Sequence, residues 1–231
     1  MGGRTYRRAP AAASFGSDAS DDAALPCDGA CHPMAILLPA DPVPQRWTPR
    51  ALDWGGELVP LLGGETQRLN RLGERFAVEV LLTPTADAAL VQAYISRLRR
   101  GRRDGARMPF PQLNLAIGAP GDVRVDGSGQ AGSSLAVKGV SAGYAFREGQ
   151  FFSLVSDGRR YLHSVSAAAT APGSGLLTLA IEPMLRVSPA ANDVVEVAAP
   201  MVEGFVGGNE LGWTVDIAGT VGLSFTLTER G

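Results

Sequence analysis

The stretch Arg75-Phe-Ala-Val-Glu-Val-Leu-Leu82 decides the fold class, because its apolar residues recur at every second position. Successive side chains of an extended chain point to opposite faces, so one face would carry Phe76, Val78, Val80 and Leu82. The pattern predicts a β-strand. We expect this long strand to have a free edge, and such an edge invites pairing with another chain.

One helix is predicted directly after this strand. Thr83 is a suitable N-cap and Pro84 a suitable first helical residue. A period of 3.6 residues then places on one face Leu90, Tyr94 and Leu98. Arginines follow in the last predicted turn, where they favour the helix dipole, and Gly101 is the predicted stop.

Upstream of the strand, the chain changes character at Met34. Residues 1–33 are predicted to be a disordered extension, because they contain too little apolar surface to offset the entropy of ordering. Two interpretations stay open for them: a flexible tail, or a mis-called start with the true start at Met34. Prolines within 39–49 predict an extended arm that lies on a neighbouring subunit. Short strands are predicted at 57–62 and 65–72.

Downstream of the helix, a proline-bearing connector over 108–121 leads to a second block of short strands. These are predicted at 122–125, 134–138, 150–155, 159–166 and 176–182. Five short strands in so few residues, with Asp157-Gly158 as a hairpin turn, indicate a small barrel. The last strands are predicted to return to the first sheet, at 194–197, 202–206, 213–217 and 221–227.

The predicted architecture is therefore mainly β, a β-sandwich with one α-helix that carries an inserted small β-barrel. The sandwich and helix take residues 34–121 and 195–231, the barrel takes 122–194, and the extension takes 1–33.

Composition narrows the function classes. The 231 residues include 29 Gly and 16 Pro, which fall between short apolar runs as turn residues do in all-β proteins. The formal net charge of −2 gives no global attraction to nucleic acid or acidic membrane. No apolar run approaches the roughly 20 residues that span a bilayer, and no signal peptide is recognised. With only two cysteines, synthesis in a reducing compartment is expected.

Three motif-like patterns are better explained as structure than as chemistry. Gly139-Val-Ser141-Ala-Gly143 matches a nucleophile elbow, with Asp157 and His163 in triad order, but no helix is predicted behind the serine. Gly127-Ser-Gly129-Gln-Ala-Gly132 matches a dinucleotide fingerprint, but a strand follows it, which predicts a hairpin loop. The soft metal ligands are Cys27, Cys31, His32 and His163, and the first three lie in the extension. We predict no catalytic, cofactor-binding or metal-binding residue.

The dense basic cluster lies at the end of the predicted helix and comprises Arg97, Arg99, Arg100, Arg102, Arg103 and Arg107. It is interpreted as a solvated helix end or a subunit contact, with nucleic-acid phosphates as a third alternative. The tryptophans Trp47, Trp54 and Trp213 are interpreted as core or interface residues, with sugar stacking as the alternative. The candidate subunit-interface residues are then Arg97, Arg99, Arg100, Arg102, Arg103 and Trp47.

Three parts of the chain resemble the distal tail (baseplate) proteins of long-tailed bacteriophages, prophages and gene transfer agents. The first is the run Gly63-Gly-Glu-Thr-Gln-Arg-Leu69 through Gly73 to Phe76. The second runs from Arg159 to Arg186, followed by Pro189-Ala-Ala-Asn192. The third is Phe205 to Trp213 with the closing run Leu223 to Leu227. The likeness covers residues 34–231 and concerns the order of elements, not a catalytic motif.

The resemblance implies a structural protein of the virion tail, assembled in the host bacterial cytoplasm, and not an enzyme. Such proteins form a ring, implied here to be a hexamer, that joins the tail tube to the baseplate hub. The implied partners are further copies of the chain, the tail tube protein and the tail-tip hub protein, with no membrane and no nucleic acid. The alternative is a host-surface (carbohydrate) binding module of a tail-like particle.

Overall fold

The computed structural model describes residues 34–69, 71, 73–112 and 115–230, so the predicted extension over 1–33 lies outside the described residues. In chain order the elements are β1 (Ile36–Leu37), β2 (Pro44–Leu52), β3 (Gly56–Leu58), β4 (Gln67–Leu69), β5 (Arg75–Leu82), α1 (Ala88–Asp104), β6 (Ala106–Pro109), β7 (Gly121–Val125), β8 (Gly132–Val140), β9 (Ala145–Phe146), β10 (Phe151–Ser156), β11 (Arg159–Val165), β12 (Ala169–Thr170), β13 (Leu177–Leu185), β14 (Val194–Glu196), β15 (Met201–Val206), β16 (Trp213–Val215) and β17 (Val221–Glu229).

The described chain is mainly β with one helix and a small closed barrel, which confirms the predicted fold class. Seven strands form one sheet in the order β1-β6-β15-β17-β5-β2, with β16 paired beside β17. With α1 they occupy residues 34–110 and 200–230, called here the sheet region. Six strands close into a barrel in the order β10-β11-β13-β8-β7-β14, within residues 121–197, called here the barrel region. Two small hairpins, β3–β4 and β9–β12, stand beside them.

Strand β5 has the bounds that its alternating pattern predicts, and Val78, Val80 and Leu82 are buried on one face. The expectation that this strand has a free edge is wrong, because β17 pairs with one side of it and β2 with the other. The predicted arm is the reason: residues 44–52, which include the second half of that arm, form β2 against β5 of the same chain.

Among the described strands, β2 is therefore the long outer strand of the sheet, and its sequence suits that position. Pro44 and Pro49 lie within it. Proline has no N–H to donate to a ladder, so within sheets it is found mainly on edge strands.

The helix starts and ends later than the sequence predicts. Its N-cap is Asp87 and not Thr83: the Asp87 carboxylate accepts hydrogen bonds from the N–H groups of Ala89 (3.0 Å) and Leu90 (3.2 Å). The Thr83 hydroxyl instead donates to the Val43 carbonyl, so this side chain makes a tertiary contact and does not cap the helix.

Gly101 does not stop the helix, which continues to Asp104. Gly101 is buried where the helix approaches the sheet, and a Cβ added there would lie 2.8 Å from the Cβ of Ala106 and 3.4 Å from a methyl group of Val206. The glycine therefore serves close packing, and the terminating residue is Gly105 at φ +94°.

The barrel has six strands where five were predicted. The sixth is β14, which the sequence analysis assigned to the sheet; it pairs with β10 on one side and β7 on the other and so closes the barrel. A strand of three residues has too little pattern to reveal which sheet it joins. Inside the barrel, the core includes Val125, Leu135, Phe152, Leu154 and Leu179, all fully buried.

One face of the sheet carries the second hydrophobic core. Leu223, Phe225 and Leu227 of β17 are buried on this face, and the Phe225 ring lies 6.0 Å from that of Tyr94 on α1. Leu162 of β11 belongs to the same cluster, so α1 and the barrel cover this face together.

The barrel is fastened to the sheet by buried charges. The Glu229 carboxylate, at the end of β17, accepts hydrogen bonds from the N–H groups of Phe76 (2.7 Å) and Leu162 (2.8 Å) and from the Arg186 guanidinium (2.8 Å). Burial raises the pKa of Glu229, and these three donors oppose that shift by stabilising its charged form.

A second charged contact crosses the same junction. Arg160 of the barrel forms a two-pronged ion pair with Glu196 (2.9 Å) and lies 3.7 Å from Glu203 of the sheet. Burial raises the pKa of Glu203, and the Arg160 charge opposes the shift. The Ser153 hydroxyl accepts from the N–H of Met201 (2.8 Å) and so adds a third tie.

Candidate assembly surface

A groove of about 700 Å³ lies between α1 and the β16–β17 hairpin. Its apolar lining includes Val91 and Ile95 of the helix, and Trp213 and Val221 of the hairpin. Arg99, Arg100 and Arg103 also line it, and no acidic residue does. The groove is thus an apolar surface with a positive border, which suits an apolar segment that carries negative charge.

The predicted basic cluster divides into two groups with different roles. Arg97 donates to the carbonyl of Leu37 (3.0 Å), and Arg102 donates to the carbonyl of Gly208 (2.6 Å). These two arginines therefore tie α1 to strand β1 and to the chain that follows β15.

The other arginines of the helix border the groove. Arg103 pairs with Asp104 (2.7 Å), and this hydrogen bond and charge lower the pKa of Asp104. Arg99 and Arg100 are exposed and make no hydrogen bond or ion pair within the described part of the chain. Arg107, counted with the cluster in the sequence, lies on β6 and does not line the groove.

The three tryptophans lie in three different settings. Trp47, on β2, is half-buried against the core of the sheet. Trp54 is half-exposed, with the Arg75 guanidinium 5.1 Å from its ring. Trp213 is half-exposed and is the one tryptophan that lines the groove.

The β3–β4 hairpin exposes a compact apolar tip, defined here as residues 57–65. Leu61 and Leu62 are 103% and 99% exposed, and Leu58 and Val59 are more than half exposed. Gly63 and Gly64, both at positive φ, form the turn. At the base, the carboxylate of Asp53 accepts from the N–H of Gly55 (2.6 Å) and from Arg68, and both contacts lower the pKa of Asp53.

The sequence predicts two strands here, at 57–62 and 65–72, whereas the strands are Gly56–Leu58 and Gln67–Leu69, so the exposed tip between them was not predicted. The available signal was the run Leu58-Val-Pro-Leu-Leu62, whose apolar residues do not alternate as a half-buried strand requires. A fully apolar run beside Gly-Gly, in a segment too short to form a core, indicates exposed apolar surface.

Exposed apolar side chains are concentrated in the sheet region. Sixteen large apolar side chains are exposed among the described residues, and fourteen of them lie in this region, which places the candidate contact surface there. The β16–β17 hairpin adds two of them, Val215 and the fully exposed Ile217. In the barrel region the exposed ones are Leu176 and Val194.

The residues of the elbow-like pattern occupy ordinary structural positions. Ser141 follows β8, and a turn and strand β9 come after it where an elbow would need a helix. Asp157 lies in the β10–β11 turn at φ +49°. The run 127–132 forms the loop between the antiparallel strands β7 and β8 and the first residue of β8, as its sequence predicts.

His163 is buried inside the β11 strand. Its Nδ1 lies 2.8 Å from the carbonyl oxygen of Pro183, and because a carbonyl can only accept, Nδ1 carries the proton. Burial lowers the pKa of His163 to about 4, so the ring is neutral at pH 7.

No group of three His, Cys, Asp or Glu side chains with metal-binding proximity occurs among the described residues, and Cys27, Cys31 and His32 lie outside them. Within the same residues, no helix has both the length and the apolar character needed to cross a membrane.

The chain matches no family model, and no curated protein is significantly similar to it.

Proposed function

We propose that this chain is a structural, non-enzymatic subunit of a phage or prophage tail, a distal tail protein whose ring joins the tail tube to the baseplate hub. One observation carries the proposal: among the described residues, fourteen of the sixteen exposed large apolar side chains lie in the sheet region. A region that exposes many large apolar side chains is typical of a surface that contacts another protein.

The order of elements supports this family among assembly proteins. A sheet with one helix is interrupted by a small barrel and then resumes, which is the order that the resemblance implies. In the proposed particle the sheet region forms the ring, with further copies of the chain, the tube protein and the hub protein as partners. The ring uses head-to-tail contacts, which close on themselves when the rotation between neighbours divides a full turn.

The tryptophans weigh against a carbohydrate-binding module. Sugar stacking uses exposed aromatic rings that line one groove. Here Trp47 packs on the core and Trp54 faces Arg75, which leaves Trp213 as the only one of the three in the groove.

The experiment is to purify tail-like particles from the strain that encodes the chain and to label them with an antibody against it. We expect label at the junction of tube and tip, in a fixed copy number by quantitative mass spectrometry. Deletion of the gene should yield particles without a tip, and a plasmid copy should restore the tip. Complete particles that lack the protein would contradict the proposal.

A further inference from the structure

We infer that the apolar tip of the β3–β4 hairpin of one copy docks into the groove between α1 and the β16–β17 hairpin of the next copy. The inference deepens the proposed function and rests on it, since it assigns the head-to-tail joint of the ring to two named surfaces.

The tip presents apolar side chains that have no packing partner among the described residues. Leu61 and Leu62 are fully exposed there, and Leu58 and Val59 are more than half exposed. The turn that presents it uses Gly63 and Gly64 at positive φ, and its base is fixed by the contacts of Asp53 with Gly55 and Arg68. A tip held at both ends loses less conformational entropy on docking than a free loop does.

Charge complementarity selects a second copy as the occupant of the groove. The tip carries Glu57 and Glu65 and no basic residue. The groove is lined by Arg99, Arg100 and Arg103 and by no acidic residue. Its volume of about 700 Å³ lies in the range of pockets that bind compact ligands, so it has room for apolar side chains such as Leu61 and Leu62.

The two surfaces differ in shape and charge and lie on the same chain. An interface between unlike surfaces of identical subunits is head-to-tail, and it repeats from copy to copy, closing as a ring when the rotation between neighbours divides a full turn. The pairing thus explains why Arg99 and Arg100 have no partner within the described chain while Arg97 and Arg102 are used internally.

The first test measures self-association of the full chain by sedimentation at increasing concentration. We expect the wild type to associate beyond a dimer, and L61D/L62D to associate at least about tenfold more weakly, since it places charge in an apolar groove. Both positions are fully exposed, so the variant should fold normally. The control is Leu90→Asp, on the same helix as the groove but outside its lining, and it should associate as the wild type does.

The second test establishes which surface meets which. A groove variant, R99E/R100E, keeps an intact tip, and L61D/L62D keeps an intact groove. Each alone should associate at least about tenfold more weakly than the wild type. An equimolar mixture should form a one-to-one dimer and nothing larger at concentrations where each variant alone is monomeric, because one intact contact remains. Adding E57R/E65R to R99E/R100E should restore association by exchanging the charges.

A wild type that stays monomeric at the highest concentration would overturn the inference, as would a mixture that forms no dimer or a groove variant that self-associates normally. Failure of the proposed function has a different signature: the chain would associate as described and yet be absent from purified tail particles.

Discussion

The barrel region and the sheet region differ in how the edges of their strands and their apolar side chains are covered. The barrel closes on itself, so each of its six strands has a neighbour on both sides, and two large apolar side chains are exposed in that region. The sheet, as far as the structure describes it, is open and ends on β1 and β2, and fourteen large apolar side chains are exposed among the described residues of its region. Closure satisfies backbone and apolar groups within one chain, whereas an open sheet leaves part of that surface for other molecules.

The largest effect should come from breaking the link between the two regions. Glu229→Ala removes the acceptor for two buried N–H groups and leaves Arg186 without its carboxylate. We expect a loss of about 3–5 kcal/mol in the free energy of unfolding, because an unpaired buried charge is costly. Urea denaturation measures it. Glu148→Ala, at an exposed position, is the control and should change stability by less than about 0.5 kcal/mol. If Glu229→Ala lowered the free energy of unfolding no more than the control does, the link would contribute nothing to stability.

The pH dependence of stability probes the barrel selectively. The folded pKa of His163 is about 4 and its ordinary value is 6.5, so above pH 6.5 the group adds stability. As pH falls from 6.5 toward 4, His163 binds a proton in the unfolded chain but stays neutral in the folded chain. The free energy of unfolding therefore falls by roughly 3 kcal/mol.

Denaturation at several pH values between 7 and 4.5 measures this loss. His163→Gln should remove that part of the pH dependence while leaving the carboxylates to titrate as before. A wild type and variant with parallel pH profiles would show that His163 is not kept neutral by burial.

A smaller effect is expected at the helix that covers the sheet. Asp87→Ala removes the acceptor for two N–H groups in the first turn of α1 and should cost about 1 kcal/mol. Asp87→Asn keeps a side-chain oxygen and should cost much less. Thermal melting distinguishes the two variants. If Asp87→Asn destabilised the protein as much as Asp87→Ala, the charge of Asp87 and not its capping hydrogen bonds would be the source of the stability.

The smallest effect on stability should come from the surface with the greatest apolar exposure. Leu61→Ser with Leu62→Ser should change the free energy of unfolding by less than about 0.5 kcal/mol, since both side chains are exposed before and after unfolding. Light scattering at high concentration should nonetheless fall. The matched barrel variant, Leu176→Ser, should alter neither quantity, and a fall in scattering there would weaken the contrast between the regions.

The sequence predicts elements whose apolar pattern repeats over many residues. It does not predict features that a few residues determine, such as the ends of the helix or a very short strand. β5 follows from eight residues of strict alternation, and the helix follows from its 3.6-residue period. The ends of the helix do not follow, because Thr83 and Asp87 are both good caps and a contact with Val43 decides between them. Strand β14 has three residues and therefore too little pattern to show that it closes the barrel.

Of the candidate surface, the sequence predicts the basic end of the helix but not which of its arginines are free to contact another molecule. A count of arginines indicates a basic helix end, but only the structure separates Arg97 and Arg102, which bind carbonyls of their own chain, from Arg99 and Arg100, which border the groove. The β3–β4 tip does not follow from the sequence because an apolar run of five residues, 58–62, fits a buried strand as well as an exposed turn.

The buried contacts of Glu229, Arg160 and Ser153 have a mechanical consequence. The barrel is joined to the sheet by two stretches of chain, one before β7 and one after β14, and by these contacts between them. A domain attached at several points resists rotation, so a force on the barrel is transmitted into β5, β15 and β17, the strands that hold these contacts. We therefore expect the barrel and the sheet to move as one body and not as two domains on a flexible linker.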